Sequence, residues 1–174
     1  LGIEAANDGK RFLVYSGLQN DTCLWTIDNM TEPIIDLSAA YAKLTRDNSG
    51  IVGLTEHGAI NYVDVSSGTV VWQTSRNGLD DHDDAIPQIS VDDRTILFKG
   101  LLWDIRSKSL IHSFDRFTEY GHDAFTPSGN ECLINSELWD VRTYKLIKTC
   151  PQFDQARFKF DRSSDVVFAI RSTD

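Results

Sequence analysis

Two observations predict an all-β chain that forms part of a WD40-type β-propeller. The first is a repeated strand ending, because Leu102-Trp103-Asp104-Ile105-Arg106 recurs as Leu138-Trp139-Asp140-Val141-Arg142, and 139 minus 103 gives an interval of 36 residues. A β-propeller repeats a four-stranded sheet about every 40 residues and often carries a Trp-Asp pair. The second is a series of short apolar runs, separated by turn residues along the whole chain, without the periodicity of a helix.

The apolar runs predict three successive strands in each repeat. Clusters of Gly, Asp, Asn and Ser precede the predicted second strands, which we place at residues 12–15, 51–54, 95–98, 132–134 and 166–169. Third strands contain Trp25, Val63, Trp103 and Trp139, whose spacings are 38, 40 and 36 residues. Fourth strands are predicted at residues 33–37, 69–74, 110–114 and 145–149. The repeat units are therefore 1–37, 38–74, 75–117, 118–150 and an incomplete 151–174, or about four and a half blades.

The joints between second and third strands differ among the units. Two residues separate these strands in the third and fourth units, Lys99-Gly100 and Asn135-Ser136, and two-residue joints form tight hairpins. We expect these hairpins to fix the direction in which each Trp-Asp strand leaves its blade.

The length indicates part of a larger ring. A seven-bladed ring would need about 280 residues at about 40 per blade, whereas the chain has 174 residues, starts at Leu1 and contains a single methionine, Met30. We therefore expect a segment of a seven-bladed propeller.

Charge and cysteine content narrow the class of function. A formal charge of −9 argues against a nucleic-acid surface, which would concentrate Lys and Arg against phosphates. Cys23, Cys132 and Cys150 are odd in number and widely spaced, which favours a reducing compartment, and we expect a nuclear and cytoplasmic protein. Two glycosylation sequons, at Asn20 and Asn29, leave secretion as an alternative. No apolar run is long enough to span a membrane.

A specific stretch of the second half carries a family resemblance. The segments that carry the resemblance are residues 100–106, 112–117, 127–131, 134–143 and 153–155. They resemble the WD-repeat domain of the Vpr-binding-protein family, the substrate receptors of cullin-4 ubiquitin ligases, over about residues 97–169. In that family two consecutive Trp-Asp-x-Arg strands dock on the damaged-DNA-binding adaptor. The first half differs, because Trp25-Thr26-Ile27 lacks the Asp and Arg, and Tyr62-Val63-Asp64-Val65 lacks the Trp and Arg.

The resemblance implies a non-catalytic substrate receptor that binds this adaptor and protein substrates. The implied partner-binding residues are Arg106, Arg142, Asp104, Asp140, Trp103 and Trp139. Residues one repeat apart emerge on the same face of a propeller, so Arg106 and Arg142 are expected side by side. The tryptophans are expected to pack between blades. A terminal arginine can also be a solvated charge or pair with its own aspartate, and this alternative leaves a general protein-interaction scaffold as the second function.

Other clusters give weaker indications. Asp80-Asp81-His82-Asp83-Asp84 lacks the ligand spacing of an EF-hand and is expected to be a solvated loop, or else to attract a basic partner. Gly121-His122 precedes Trp139 by too few residues for the usual Gly-His position of a WD repeat, which favours a structural role. No catalytic motif, metal spacing or cofactor motif occurs, so neither an enzyme nor a cofactor is predicted. The remaining aromatics are expected in the core rather than on an RNA-stacking platform; they are Trp72, Phe114, Phe117, Phe125, Phe153, Phe158, Phe160 and Phe168.

Overall fold

The computed structural model describes residues 2–16, 21–74, 86–114, 122–154, 156–161 and 166–170. These residues form four four-stranded sheets and one two-stranded sheet, with a 3₁₀ helix at Pro151–Phe153 and no α-helix among them. The chain divides into two compact units, Leu1–Asp83 and Asp84–Asp174. The predicted all-β class, built from blades of the WD40 propeller type, is confirmed.

The first unit holds two antiparallel sheets in which consecutive strands are neighbours. The first sheet consists of β1 (Gly2–Ala5), β2 (Arg11–Ser16), β3 (Asp21–Thr26) and β4 (Ile35–Ser38). The second consists of β5 (Tyr41–Leu44), β6 (Gly50–Leu54), β7 (Ile60–Asp64) and β8 (Thr69–Gln73).

The second unit holds two further four-stranded sheets and a two-stranded one, again antiparallel with consecutive strands adjacent. The third sheet consists of β9 (Gln88–Ile89), β10 (Thr95–Phe98), β11 (Leu101–Asp104) and β12 (Ser109–Ser113). The fourth consists of β13 (Asp123–Phe125), β14 (Glu131–Ile134), β15 (Glu137–Asp140) and β16 (Leu146–Thr149). The last sheet pairs β17 (Arg157–Phe160) with β18 (Val167–Ile170).

The predicted second, third and fourth strands are confirmed within a residue or two, with one shift. The fourth strand of the first sheet begins at Ile35 rather than Pro33, because proline has no N–H to give to the ladder. The first strands β1, β5, β9, β13 and β17 were not predicted. They are two to four residues long and too short to show an alternating pattern.

The strand register confirms the repeat at the level of single residues. Trp25, Val63, Trp103 and Trp139 pair with Phe12, Ile51, Ile96 and Cys132 on the preceding strands. In three sheets the pairing of the third and fourth strands shifts at one equivalent place, directly before Val63, Trp103 and Trp139. A bulge at a fixed position bends the strand, and here it recurs with the sequence repeat.

Within each unit, neighbouring sheets pack face to face. One buried cluster joins Leu13, Leu24 and Ile35 of the first sheet to Ala42, Leu44, Ile51 and Val63 of the second. Another joins Leu97, Leu102 and Phe114 of the third sheet to Phe125, Cys132, Ile134 and Trp139 of the fourth. Burial falls from the second strands, where every residue of β6 is buried, to the fourth strands, where every residue of β16 is exposed. The fourth strands are thus the outer edges of the blades.

A buried aspartate links the third and fourth sheets. The predicted tight hairpin at Lys99-Gly100 is present, with φ of 48° and 69°, a left-handed pair that glycine favours. The Gly100 amide donates to Oδ2 of Asp123 on β13 of the next sheet, at 3.1 Å. Burial raises the pKa of Asp123 to about 7, although hydrogen bonds from the Gly100 and Lys99 backbone favour its charged form. The hairpin of one blade is thereby fixed to the first strand of the next.

The prediction that the aromatic residues are core is confirmed for Phe114 and Phe125, at 2% and 9% exposure, and is wrong for Phe168, at 61%. Phe168 lies on β18, whose only paired neighbour among the described residues is β17, so one edge of the strand is uncovered. Trp72, Phe153, Phe158 and Phe160 are half-buried, and Phe117 lies outside the described residues.

The buried Asp123 gives a pH-dependent stability. Its folded pKa of about 7 exceeds the ordinary 3.8, so the folded chain holds a proton that the unfolded chain releases as pH rises from about 4 to 7. The free energy of unfolding should fall over that window, by up to about 4 kcal/mol for a shift of about three pKa units. Asp123→Asn keeps an oxygen acceptor for Gly100 and removes the titration.

The measurement is denaturant unfolding of the unsubstituted chain, Asp123→Asn and a control variant between pH 4.5 and 7.5. We expect the stability of Asp123→Asn relative to the unsubstituted chain to increase with pH and to level off above pH 7. Asp154→Asn, at an exposed carboxylate, is the matched control and should follow the unsubstituted chain. Parallel curves for all three proteins would contradict the assignment.

Candidate functional site

The two Trp-Asp-x-Arg segments end in the same tight turn. β11 ends at Asp104, and Oδ1 of this aspartate accepts a hydrogen bond from the Ser107 amide at 2.5 Å. The Lys108 amide donates to the Asp104 carbonyl oxygen at 2.9 Å and closes the turn. Ile105 and Arg106 therefore lie in the turn and not on the strand. The prediction that the strand runs to the end of the segment 102–106 is wrong by two residues, because the strand ends at Asp104.

The fourth sheet repeats this turn. Oδ1 of Asp140 accepts from the Arg142 amide at 2.9 Å, the Thr143 amide at 2.7 Å and the Thr143 hydroxyl at 3.0 Å. The Tyr144 amide donates to the Asp140 carbonyl oxygen at 2.9 Å. We call residues 104–108 and 140–144 the Asp-x-Arg turns. An aspartate that accepts from the amides two and three residues ahead is a stable local turn element.

The second sheet forms the same turn without an arginine. Asp64 accepts from the Ser66 hydroxyl at 2.6 Å and the Ser67 amide at 2.8 Å, and the Gly68 amide donates to its carbonyl oxygen at 2.8 Å. Ser66 occupies the place of Arg106 and Arg142. The turn therefore requires the aspartate but does not require the guanidinium.

The fifth position of the turn has a left-handed backbone in all three sheets. Gly68, Lys108 and Tyr144 have φ of 67°, 60° and 56°. For a non-glycine residue this conformation costs about 1 kcal/mol or more. The Tyr144 ring stacks on His112 of the third sheet, with centroids 4.2 Å apart and planes 9° apart. This contact, absent from the sequence-based prediction, joins the turn that carries Arg142 to the outer strand of the neighbouring blade.

The carboxylates of these turns are held in their charged form. A hydrogen bond from the Ser107 amide lowers the pKa of Asp104, and hydrogen bonds from the Thr143 amide and hydroxyl lower the pKa of Asp140. Because their oxygens accept from the turn itself, these carboxylates serve first to shape the backbone beneath each arginine.

Both arginines are exposed. Arg106 lies on the surface, and the Arg142 side chain is 77% exposed. A terminal nitrogen of Arg142 lies 3.9 Å from Asp140 Oδ2, which is a loose ion pair in solvent. The two arginines occupy the same turn position in adjacent sheets of one unit, where each can offer N–H donors to a partner.

The two tryptophans lie beneath these turns. Trp103 and Trp139 are 5% and 6% exposed, and the Trp139 ring contacts Phe114 of the third sheet at 5.2 Å between centroids. Trp139 thus packs between blades as predicted. A partner at the surface would meet the turns first, so a direct partner contact by either tryptophan stays a prediction.

Most residues of the other candidate sites lie outside the part of the chain that the structure describes. The acidic stretch Asp80–Asp84 and Gly121 lie outside the described residues, while His122 is half-buried and its carbonyl oxygen accepts from the Asn135 amide at 3.3 Å. Within the part of the chain that the structure describes, no group of three His, Cys, Asp or Glu side chains could hold a metal ion. The same part contains no helix that is both long and apolar enough to cross a membrane.

Several known proteins have sequences similar to this chain. The chain is 46% identical over 78 residues, 45% of its length, to DDB1- and CUL4-associated factor homolog 1 of Arabidopsis thaliana. It is 29% identical over 181 aligned positions, 99% of its length, to the Caenorhabditis elegans protein of the same name. It is 43% identical over 68 residues, 39% of its length, to protein mahjong of Drosophila melanogaster. No family model matches the chain.

These matches confirm the family resemblance predicted from the sequence. They also set its extent, because the chain spans only 4% of the plant protein, 10% of the worm protein and 4% of the fly protein.

The turn geometry separates the role of the aspartates from that of the arginines. Asp104→Ala removes the acceptor of the Ser107 amide, and we expect the melting temperature to fall by about 2–4 °C, the effect of about 1 kcal/mol in a chain of this size. Arg106→Ala should leave it unchanged, because Ser66 serves the same turn position in the second sheet. Thermal unfolding of both variants measures this. An equal loss of stability in the two would show that the arginine supports the fold.

Proposed function

We propose that this chain, a relative of the Vpr-binding-protein family, is the part of a cullin-4 ubiquitin-ligase substrate receptor that docks on the damaged-DNA-binding adaptor. In this proposal the chain is non-catalytic: it holds the receptor on the adaptor, and the receptor presents protein substrates for ubiquitination. The names of the relatives support the assignment, since two of these proteins are called DDB1- and CUL4-associated factor homolog 1, after the adaptor and the cullin.

The observation that carries the proposal is the pair of exposed arginines in equivalent turns of adjacent sheets. The Asp64 turn forms with Ser66 in the same place, so folding does not account for Arg106 or Arg142. Arginine is enriched among interface residues that dominate binding, because its planar fork donates to carboxylates and carbonyls at low cost in ordering. The proposed docking residues are therefore Arg106 and Arg142, with Asp104 and Asp140 holding their turns and Trp103 and Trp139 supporting them.

The proposal includes a nuclear and cytoplasmic location. All three cysteines are free thiols, and Cys132 and Cys150 are buried, which suits a reducing compartment. Burial raises the pKa of the Cys132 thiol well above its ordinary range, so this residue is unreactive and serves packing.

Charge reversal of both arginines tests the docking role. In the full protein, Arg106→Glu with Arg142→Glu should abolish co-purification of the adaptor, since each typically contributes about 2 kcal/mol or more at such a site and each glutamate adds repulsion. The melting temperature should stay unchanged.

Lys148→Glu, at an exposed residue in the middle of β16, is the matched control and should retain the adaptor. Retention of the adaptor by the double variant would refute the proposal. Loss of thermal stability in that variant would instead favour a general interaction scaffold in which the arginines serve the fold.

A further inference from the structure

A third Asp-x-Arg triplet lies at the same end of the third sheet as the turn that carries Arg106. Asp92-Asp93-Arg94 forms the turn between β9 and β10, and the sequence-based prediction treated it only as a turn. β10 and β11 are antiparallel, and Thr95, which follows Arg94, pairs with Asp104 at the end of β11. The start of β10 and the end of β11 therefore share one end of the sheet.

A backbone hydrogen bond between the two strands places Arg94 close to Arg106. The Ile105 amide donates to the Arg94 carbonyl oxygen at 2.8 Å. Arg94 is thus opposite the residue that precedes Arg106, and paired positions on antiparallel strands are about 4.5–5.5 Å apart between Cα atoms. One sheet presents two arginines as near neighbours.

Arg94 shares two local contacts with Arg142, although the Arg94 amide also donates to the Ser90 hydroxyl at 3.2 Å. The Arg94 amide donates to Oδ1 of the aspartate two residues earlier, Asp92, at 3.3 Å; the corresponding distance from Arg142 to Asp140 is 2.9 Å. The guanidinium nitrogen nearest to that carboxylate is 3.6 Å from Oδ2 for Arg94 and 3.9 Å for Arg142. The side chains are 80% and 77% exposed. In both cases a loose pair leaves the other guanidinium donors facing solvent.

The hairpin itself does not require an arginine at this place. The same backbone hydrogen bond is accepted by Lys10, Ser49 and Asn130 in the first, second and fourth sheets, from the amides of Ile27, Val65 and Val141. Serine and asparagine accept it as well as arginine does, because only the carbonyl oxygen takes part. As with Arg106 and Arg142, the guanidinium is surplus to the fold.

We propose that Arg94 is a third partner-contacting side chain of the surface formed by Arg106 and Arg142, and that this surface fits an acidic patch of the adaptor. The inference rests on the proposed docking function. Asp92, Asp104 and Asp140 each direct a carboxylate oxygen into hydrogen bonds of their own turns, and the side chains of the three arginines are exposed, as is 60% of the Asp92 side chain. The turn end of the second unit therefore offers exposed guanidinium donors to a partner, although aspartates lie beside them and the chain as a whole carries a charge of −9.

The test is the affinity of the full protein for the purified adaptor at two salt concentrations. Arg94→Gln should weaken binding about five- to tenfold at low salt and flatten the salt dependence, because one charge pair with the partner is lost. Its melting temperature should not change, since the side chain is exposed. Lys148→Gln removes one cation from an exposed outer strand of the same unit, away from the turns, and should bind like the unsubstituted protein.

The outcomes separate this inference from the function on which it rests. If Arg94→Gln binds as tightly as Lys148→Gln while Arg106→Glu with Arg142→Glu abolishes binding, the docking function stands and the role of Arg94 is refuted. If the double variant still binds the adaptor, the docking function itself fails. Arg94→Lys provides the further check, because a role as a planar donor predicts that lysine restores the salt dependence without restoring the full affinity.

Discussion

The packing of one blade against the next is the interaction on which the rest of this structure depends. Every residue of β6 is buried, and β10 and β14 are buried over three of their four residues, so the side chains of these strands are largely shielded from water on both faces. A single four-stranded sheet of this composition would expose most of its apolar residues. In each unit two sheets cover each other through one apolar cluster, and polar ties such as Asp123 to Gly100 add direction to that contact. Where two sheets cover each other in this way, the ends and outer edges of the blades remain for partners.

The turns at those ends divide three tasks among neighbouring residues. The aspartate ends the strand and accepts hydrogen bonds from the backbone ahead of it. The left-handed fifth position, which is Gly68 in the second sheet, is occupied by Tyr144 in the fourth, where stacking on His112 offsets the backbone cost and fixes the turn to the adjacent blade. The guanidinium of the arginine between them is needed for neither task. A residue type that the fold does not require, held on a rigid turn, is the arrangement expected of a binding site.

The sequence predicted the strands well because they depend on local patterns, and the same patterns located Arg106 and Arg142 at the repeated strand ending, where a partner contact stays a prediction. Apolar runs between turn residues locate second to fourth strands, and the Trp-Asp spacing sets the repeat. The short first strands were missed, since their two to four residues become strands only by pairing with β2, β6, β10, β14 and β18. The stack of His112 on Tyr144 and the tie from Asp123 to Gly100 join residues 32 and 23 positions apart, in different blades. No local pattern encodes such contacts. Arg94 was overlooked for the same reason, because its place opposite Ile105 follows from the hairpin register.

The loose pairing of Arg94 and Arg142 with their own aspartates suits the proposed docking surface. An exposed ion pair at 3.6–3.9 Å contributes about 0–1 kcal/mol, so a partner carboxylate can replace it at little cost. The gain on docking comes from excluding water around a planar donor, which is typically worth about 2 kcal/mol or more for an arginine at the centre of an interface. Meanwhile the nearby aspartate limits the positions that the free side chain samples, which reduces the entropy lost on binding. If the aspartates held the guanidinium groups in buried bidentate pairs, the same residues would stabilise the fold and have little left to offer a partner.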